Sequence, residues 1–321
     1  MAVYTTISDA ELTALVETYD IGTLLSFAGI AEGVENSNYL LRTDKANYIL
    51  TLYEKRTNEQ DLPFFMGLMQ HLSQAGIICP SPITDKSGTI LQHIAGRPAA
   101  MVSFLDGVSY RYPNATQCRN LGIALARMHL ATADFAMMRD NALGPAGWQP
   151  LLNSITEEPA DLPKGLKAQA QTKLEAILAE WPDNLPTGII HADLFPNNVM
   201  FVGDELTGLI DFYFACHDVT AYDLATCLNS WCFENDGTFN VTKSAAMLAG
   251  YQSVRPLSDD EKQALPVLCR GSAIRFFLTR FYDWINTPKD ALVKPHDPME
   301  YWAKLRFHEK CDSPASYGLW S

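Results

Sequence analysis

The sequence predicts an α+β protein built as two lobes: a small antiparallel-sheet N-lobe with one internal helix, and a larger, mainly helical C-lobe. Three observations carry that expectation. Up to about residue 105 the chain alternates short β-type runs with turn residues, interrupted by one stretch of helical spacing. From Gly107 onward long amphipathic stretches take over. At 321 residues, 47% of them hydrophobic, the chain also exceeds what one compact core usually organises, while leaving ample material for two. The expected boundaries are 1–105 for the N-lobe and 106–321 for the C-lobe, with a hinge at about 102–107.

The elements follow in order. "MAVYTTISDAELTALVETYDIG" reads as a capped helix, with Ser8 and Glu11 at capping-box spacing, and lacks the basic start and apolar stretch of a secretory leader. "NYLLRT" and "NYILTLYE" read as strands joined through "DKAN", a plausible hairpin connection. Residues 61–74 carry apolar side chains at 62, 65, 66, 69 and 72, which is helical spacing, closed by Gly76 and the extended turn "CPSP". "GTILQHIAG" and "PAAMVSFLDG" supply two further strands. Beyond the hinge, 118–132 places Leu121, Leu125 and Met128 on one helix face, and 163–181 is a second, more polar helix. A strand pair turning at "GDE" (203–205) interrupts. Helix then resumes over 221–233, 241–253, 259–285 and 298–310.

Composition narrows the function classes. A net charge of −13 argues against a nucleic-acid binder, which needs basic patches against the phosphate backbone. It leaves room for one nucleotide and suits a cationic substrate. Seven cysteines with no C-x-x-C pair point to reduced thiols and a cytoplasmic setting. No apolar run approaches the roughly 18–20 residues that cross a bilayer, so no membrane partner is expected.

The chemistry concentrates in "GIIHADLFPNNVMFVGDELTGLIDF". His191, Asp193 and Asn198 form H-x-D-x-x-x-x-N, the catalytic-loop spacing of protein kinases with Ala192 in the Arg position. Asp211 and Phe212 then match the D-F of the kinase metal-binding turn. A loop leaving one strand can present Asp193 to an acceptor hydroxyl, while a hairpin returns Asp211 to the side of Asn198. Two hard oxygen ligands would then converge on Mg²⁺, which takes few protein ligands and keeps water and phosphate for the rest. An isolated Asp-x₄-Asn is close to noise, but the set in its strand context is not. His191 reads as a hydrogen-bonded structural histidine, because phosphoryl transfer asks no acid–base work of it.

"HADLFPNNVMF…GLIDF…HDVTAYDLA" resembles the signature of the aminoglycoside phosphotransferase-like kinases, which phosphorylate small molecules on a protein-kinase-like bilobal fold. The likeness runs from the Gly-containing loop through the C-lobe. Within that superfamily, "GVENSNY", "YILTLYE", "GRPAAMVSFLDG", "LNSWCFE" and "AIRFFLTRFYDW" resemble the bacterial homoserine kinases. The resemblance implies ATP and Mg²⁺ as cofactors and a hydroxylated amino acid as acceptor, phosphorylated on its side-chain hydroxyl in threonine biosynthesis. It also makes Asp218 a brace for the catalytic loop and Asp223 a helix-start residue.

Gly33, with Asn36, Ser37 and Asn38, reads as the phosphate-covering loop, and Ser103 and Leu105 lie in the hinge whose backbone would meet adenine. The strand lysine of kinases is missing: Thr51 stands in its place. Lys55 lies four residues on, hence on the same strand face if the strand persists, and Arg56 is close as well. For a helix partner the sequence offers only Glu59 or Asp61. A zwitterionic acceptor needs an arginine for its carboxylate. Arg275 and Arg280 are the candidates, with Trp231 as a wall, although Arg280 could equally pair locally with Asp283. The alternatives are a choline, methylthioribose or aminoglycoside kinase, or a catalytically weak nucleotide-binding module.

Overall fold

The computed structural model describes residues 5–30, 36–54, 57–288 and 294–319. Helix α1 (Asp9–Glu17) opens with the expected capping box: the Ser8 hydroxyl accepts from the Glu11 amide, and the Glu11 carboxylate accepts from the Ser8 amide. Strands β1 (Leu24–Ile30), β2 (Ser37–Thr43) and β3 (Asn47–Leu52) follow, then helix α2 (Leu62–Gln74) and strands β4 (Leu91–Ile94) and β5 (Arg97–Ser103). They form one antiparallel sheet in the order β1-β2-β3-β5-β4.

The two-residue period of the strands divides this sheet into two faces. Tyr39, Leu41, Leu50, Leu52 and Met101 pack with Leu12, Leu15 and Val16 of α1 into a small core. Asn38 and Thr51, partners across β2 and β3, point the other way. On that second face Ala100 and Val102 join α2 and the large core of the C-lobe.

β5 ends at Ser103, which exchanges bonds with Ser81: its amide donates to the Ser81 carbonyl and its hydroxyl accepts from the Ser81 amide, both at 2.9 Å. The connection then passes Gly107, whose φ of +135° and closeness to Phe201 require glycine. A Cβ there would lie 2.9 Å from the Phe201 carbonyl oxygen.

The C-lobe contains α3 (Ala115–Ala131), α4 (Pro145–Ser154), α5 (Leu166–Ala179), β6 (Thr187–Ile190), β7 (Val199–Val202), β8 (Glu205–Leu209), β9 (Cys216–Val219), α6 (Thr220–Trp231), α7 (Val241–Gln252), α8 (Asp259–Asn286) and α9 (Pro298–His308). β7 and β8 form the hairpin expected around "GDE". β6 pairs instead with β9, which the sequence did not reveal because "CHDV" is short and half polar. Helix α4 is also unexpected; Gly147 and Pro150 within it mask its period. The fold class is the one the sequence predicts. Among the described residues no helix is long and apolar enough to cross a membrane, and the seven cysteines are all unpaired.

Candidate active site

The loop 191–198 connects β6 to β7 and is held from below by one carboxylate. Asp223, fully buried in the first turn of α6, accepts from the amides of His191 (2.7 Å) and Ala192 (2.9 Å). Its Oδ2 also lies 3.1 Å from His129 Nε2, and His129 Nδ1 is 2.8 Å from the Tyr251 hydroxyl. Burial alone would raise the Asp223 carboxyl, but the bond to His129 and the donors of His191 hold it below its ordinary value. The sequence assigns this bracing to Asp218 and a plain helix-start role to Asp223; Asp223 does sit at the helix start, and it is also the residue that bonds the loop amides. Asp218 lies in β9, where it accepts from Asn141 Nδ2 (2.6 Å) and from the next amide.

The His191 ring is buried against Phe212, with centroids 4.7 Å apart. Burial lowers its pKa and favours the neutral ring, so Nε2–H donates to the Ile210 carbonyl at 3.0 Å while the buried Nδ1 has no hydrogen-bond partner among the described residues. The histidine is thus a strut between the loop and the residue preceding Asp211. Ala192 next adopts φ +63°, at a cost of about 1–2 kcal/mol, and the chain turns so that Asp193 emerges on the other side. The side chain of Asp193 is 20% exposed, and its Oδ1 lies 3.7 Å from Arg275 Nη1. Burial pushes this carboxyl above its ordinary pKa, and the Arg275 guanidinium opposes that rise.

Asn198 is buried and donates Nδ2 to the Asp193 carbonyl at 2.8 Å, which commits its amide nitrogen and leaves Oδ1 as a ligand oxygen. Its own carbonyl accepts from the Ile210 amide at 2.9 Å, so the β7–β8 hairpin brings Asp211 back beside it. Asp211 is exposed and left-handed, φ +67°. Its negative charge reaches Tyr213 and Tyr53 and adds to the burial that raises both hydroxyls. One amide oxygen and one exposed carboxylate suit Mg²⁺, which needs one or two protein ligands beside phosphates and water. Among the described residues no cluster of three or more His, Cys, Asp or Glu side chains exists to hold a softer metal.

Gly33, Lys55 and Arg56 lie outside the described residues. β3 itself ends at Leu52. Thr51 donates to Asn38 Oδ1 at 2.8 Å and shares a hydroxyl bond with Tyr213, whose oxygen is 3.1 Å from that of Tyr53. Ser37, expected in the phosphate-covering loop, lies on the sheet face opposite Asn38 and Thr51. It shares the α1 side of β2 with Tyr39 and donates to Glu54 Oε1 at 2.8 Å. The Asn36 side chain likewise turns inward, accepting from the Glu54 amide and the Thr57 hydroxyl at 3.2 Å. Glu59 and Asp61 are engaged elsewhere, with His93 at 3.3 Å and Arg139 at 2.7 Å. Leu105 packs its side chain on Gly208, which leaves its backbone as the part that could meet a nucleotide.

On the acceptor side the three expected residues separate. Arg275, 4% exposed, stacks on Phe276 at 3.8 Å and reaches Asp193. Arg280 does not join it: five residues along a helix rotate a side chain by about 140°. It pairs with Glu300 at 2.6 Å, and thus with α9 rather than locally. Burial would raise Glu300, but Lys304 and Arg280 hold it at about 2. Trp231 is no pocket wall; it is 1% exposed, and its Nε1 donates to the Leu194 carbonyl of the catalytic loop at 2.8 Å. Sequence reasoning missed Arg139, which lies in an irregular segment, and Tyr213, in a single 3₁₀ turn (Phe212–Phe214), too short for any period to mark them.

A two-lobed phosphotransferase of the kinase type is what this fold and loop define. The chain belongs to the phosphotransferase enzyme family APH, whose model matches residues 26–257. It is 58% identical over 319 residues to a homoserine kinase of Xanthobacter autotrophicus and 57% identical to one of Rhodospirillum rubrum, covering 99% of each chain in both cases. Among solved structures it is similar to an amicoumacin kinase in complex with AMP-PNP, Ca²⁺ and Ami. There the TM-score is 0.72 at 16% identity, over 95% of this chain and 94% of the other.

Proposed function

We propose that the protein transfers the γ-phosphoryl group of ATP to the side-chain hydroxyl of L-homoserine, giving O-phospho-L-homoserine and ADP, a step of threonine biosynthesis. Full-length identity to proteins named homoserine kinase carries the choice of acceptor. The geometry supports the chemistry. Asp193 accepts the hydroxyl's hydrogen bond and aims its oxygen at the γ-phosphorus. As the new P–O bond forms and the bond to the ADP oxygen breaks, the hydroxyl proton passes to the Asp193 carboxylate and from there to solvent. Asn198 Oδ1 and the Asp211 carboxylate would hold Mg²⁺, which supplies charge neutralisation to the phosphates when bound. The Arg275 guanidinium opposes the rise that burial imposes on the Asp193 carboxyl and so favours its ionised form. The rest is positioning, which is most of what phosphoryl transfer needs.

Coupled ADP release over homoserine, choline, methylthioribose and kanamycin tests this reading. Homoserine-dependent release is expected, reduced about 10²–10⁴-fold by Asp193→Ala, the range a positioned base contributes. Release with another acceptor and none with homoserine would overturn the acceptor and leave the phosphotransferase.

A further inference from the structure

Behind Ala192 lies a small cavity of about 180 Å³, walled by Arg139, Asn141, Ala192, Phe214, Tyr222 and Arg275. We propose that it receives the carboxylate of the acceptor amino acid, read by Arg275 and Arg139 together; this rests on the homoserine reading above.

Four features of the cavity converge on an anion. No carboxylate is among its lining residues, in a protein of net charge −13. Two guanidinium groups line it, and the fork of a guanidinium matches a carboxylate. Arg275 is 4% exposed, and among the described residues its buried Nη1 makes no hydrogen bond, only the 3.7 Å ionic contact with Asp193, so a charged donor keeps unused hydrogen-bonding capacity. Its plane is pinned by Phe276 at 3.8 Å and Phe214 at 5.6 Å, so the orientation is set before any ligand arrives. Arg139 donates Nε to Asp61 at 2.7 Å and Nη1 to the Ala215 carbonyl at 3.1 Å. No partner among the described residues accepts from its Nη2.

Size and reach narrow the ligand. Pockets for drug-sized molecules run to roughly 300–1,000 Å³, so this one suits the end of an amino acid and not a ring system. Four bonds separate the hydroxyl oxygen of homoserine from its carboxylate carbon, roughly 5 Å when extended. Arg275 Nη1 stands 3.7 Å from Asp193 Oδ1, so one molecule can place its hydroxyl on the aspartate and its carboxylate on the arginine. Arg280, held by Glu300, has no part in this recognition.

The discriminating acceptor is 3-aminopropan-1-ol, which is homoserine with hydrogen in place of the carboxylate. The ratio of kcat/KM for homoserine to that for 3-aminopropan-1-ol is expected to fall at least tenfold in Arg139→Met and in Arg275→Met. KM for homoserine should rise while KM for ATP moves less than twofold. Equal losses on both acceptors would assign the arginines to phosphoryl transfer or to structure and sink the carboxylate pocket. A second measurement needs no variant. L-2-aminobutyrate, which keeps the carboxylate but lacks the hydroxyl, should compete with homoserine at least tenfold better than propylamine; equal inhibition overturns the proposal. If the wild-type protein does not phosphorylate homoserine, the functional reading fails and this one with it. If it does and the ratio stays unmoved, only the pocket assignment falls.

Discussion

The two walls of the cleft handle charge differently. On the C-lobe side charged groups dominate: Asp193 faces Arg275, Asp223 grips two loop amides, and Asp211 stands exposed in a left-handed turn. On the N-lobe side β3 carries no cation. Thr51 bonds Asn38, and the Tyr213 hydroxyl joins Thr51 to Tyr53. Neutral hydroxyls occupy the place where a kinase usually sets its lysine. The contrast teaches that, on the proposed reading, the phosphate charge would be met by a metal ion held on the C-lobe side and by cations there, or by a cation beyond the end of β3.

Breaking the C-lobe side at its foundation should have the largest effect. Asp223→Ala strips the acceptor from the amides of His191 and Ala192 and from His129, all deeply buried. Removing one partner from such a network costs about 3–5 kcal/mol, which urea denaturation would register as a lower midpoint with loss of activity. Asp218→Ala, which loses Asn141 and one neighbouring amide, should cost clearly less. Equal midpoints for the two variants would return the brace to Asp218.

The next test sharpens the role of Arg275. With Asp193 as the proposed base, kcat/KM is expected to fall as pH drops through the raised pKa of that carboxyl. Taking away the cation disfavours the charged form further. The acid limb of the pH profile should therefore move to higher pH in Arg275→Met, and an unmoved limb would mean the two side chains do not communicate.

The smallest effects belong to the N-lobe. Thr51→Val removes a neutral hydroxyl that links Asn38 and Tyr213, each link worth about 0.5–1.5 kcal/mol, so a few-fold rise in KM for ATP is expected. Lys55→Met decides where the missing cation lies. A rise in KM for ATP larger than that of Thr51→Val would place it beyond β3, and no change would make the neutral wall the whole design of this side.

Ser37 and Asp223 show where reading along the chain stops. Ser37 belongs to "NSN", a donor-rich triplet, yet the alternation of β2 gives it to the α1 side and only Asn38 to the cleft. Which face meets the C-lobe is settled by packing, not by composition. Asp223 sits where acidic residues cap helices everywhere, and its grip on the loop depends on His129, 94 residues earlier. Arg280 misled for a related reason: on a helix packed on several sides, the partner a side chain finds depends on which neighbour lies across, here Glu300 of α9.

By itself the amino-acid sequence determined the lobes and the order of Asp193, Asn198 and Asp211. These are consequences of local periodicity and of spacing within one short loop and hairpin, where covalent connection limits what can meet. Only the tertiary structure decided which carboxylate supports the loop, which arginine reaches Asp193, and that Arg139 shares a cavity with it. Those pairings join residues scores of positions apart, and burial sets their strength, so neither partner is marked until the helices have packed.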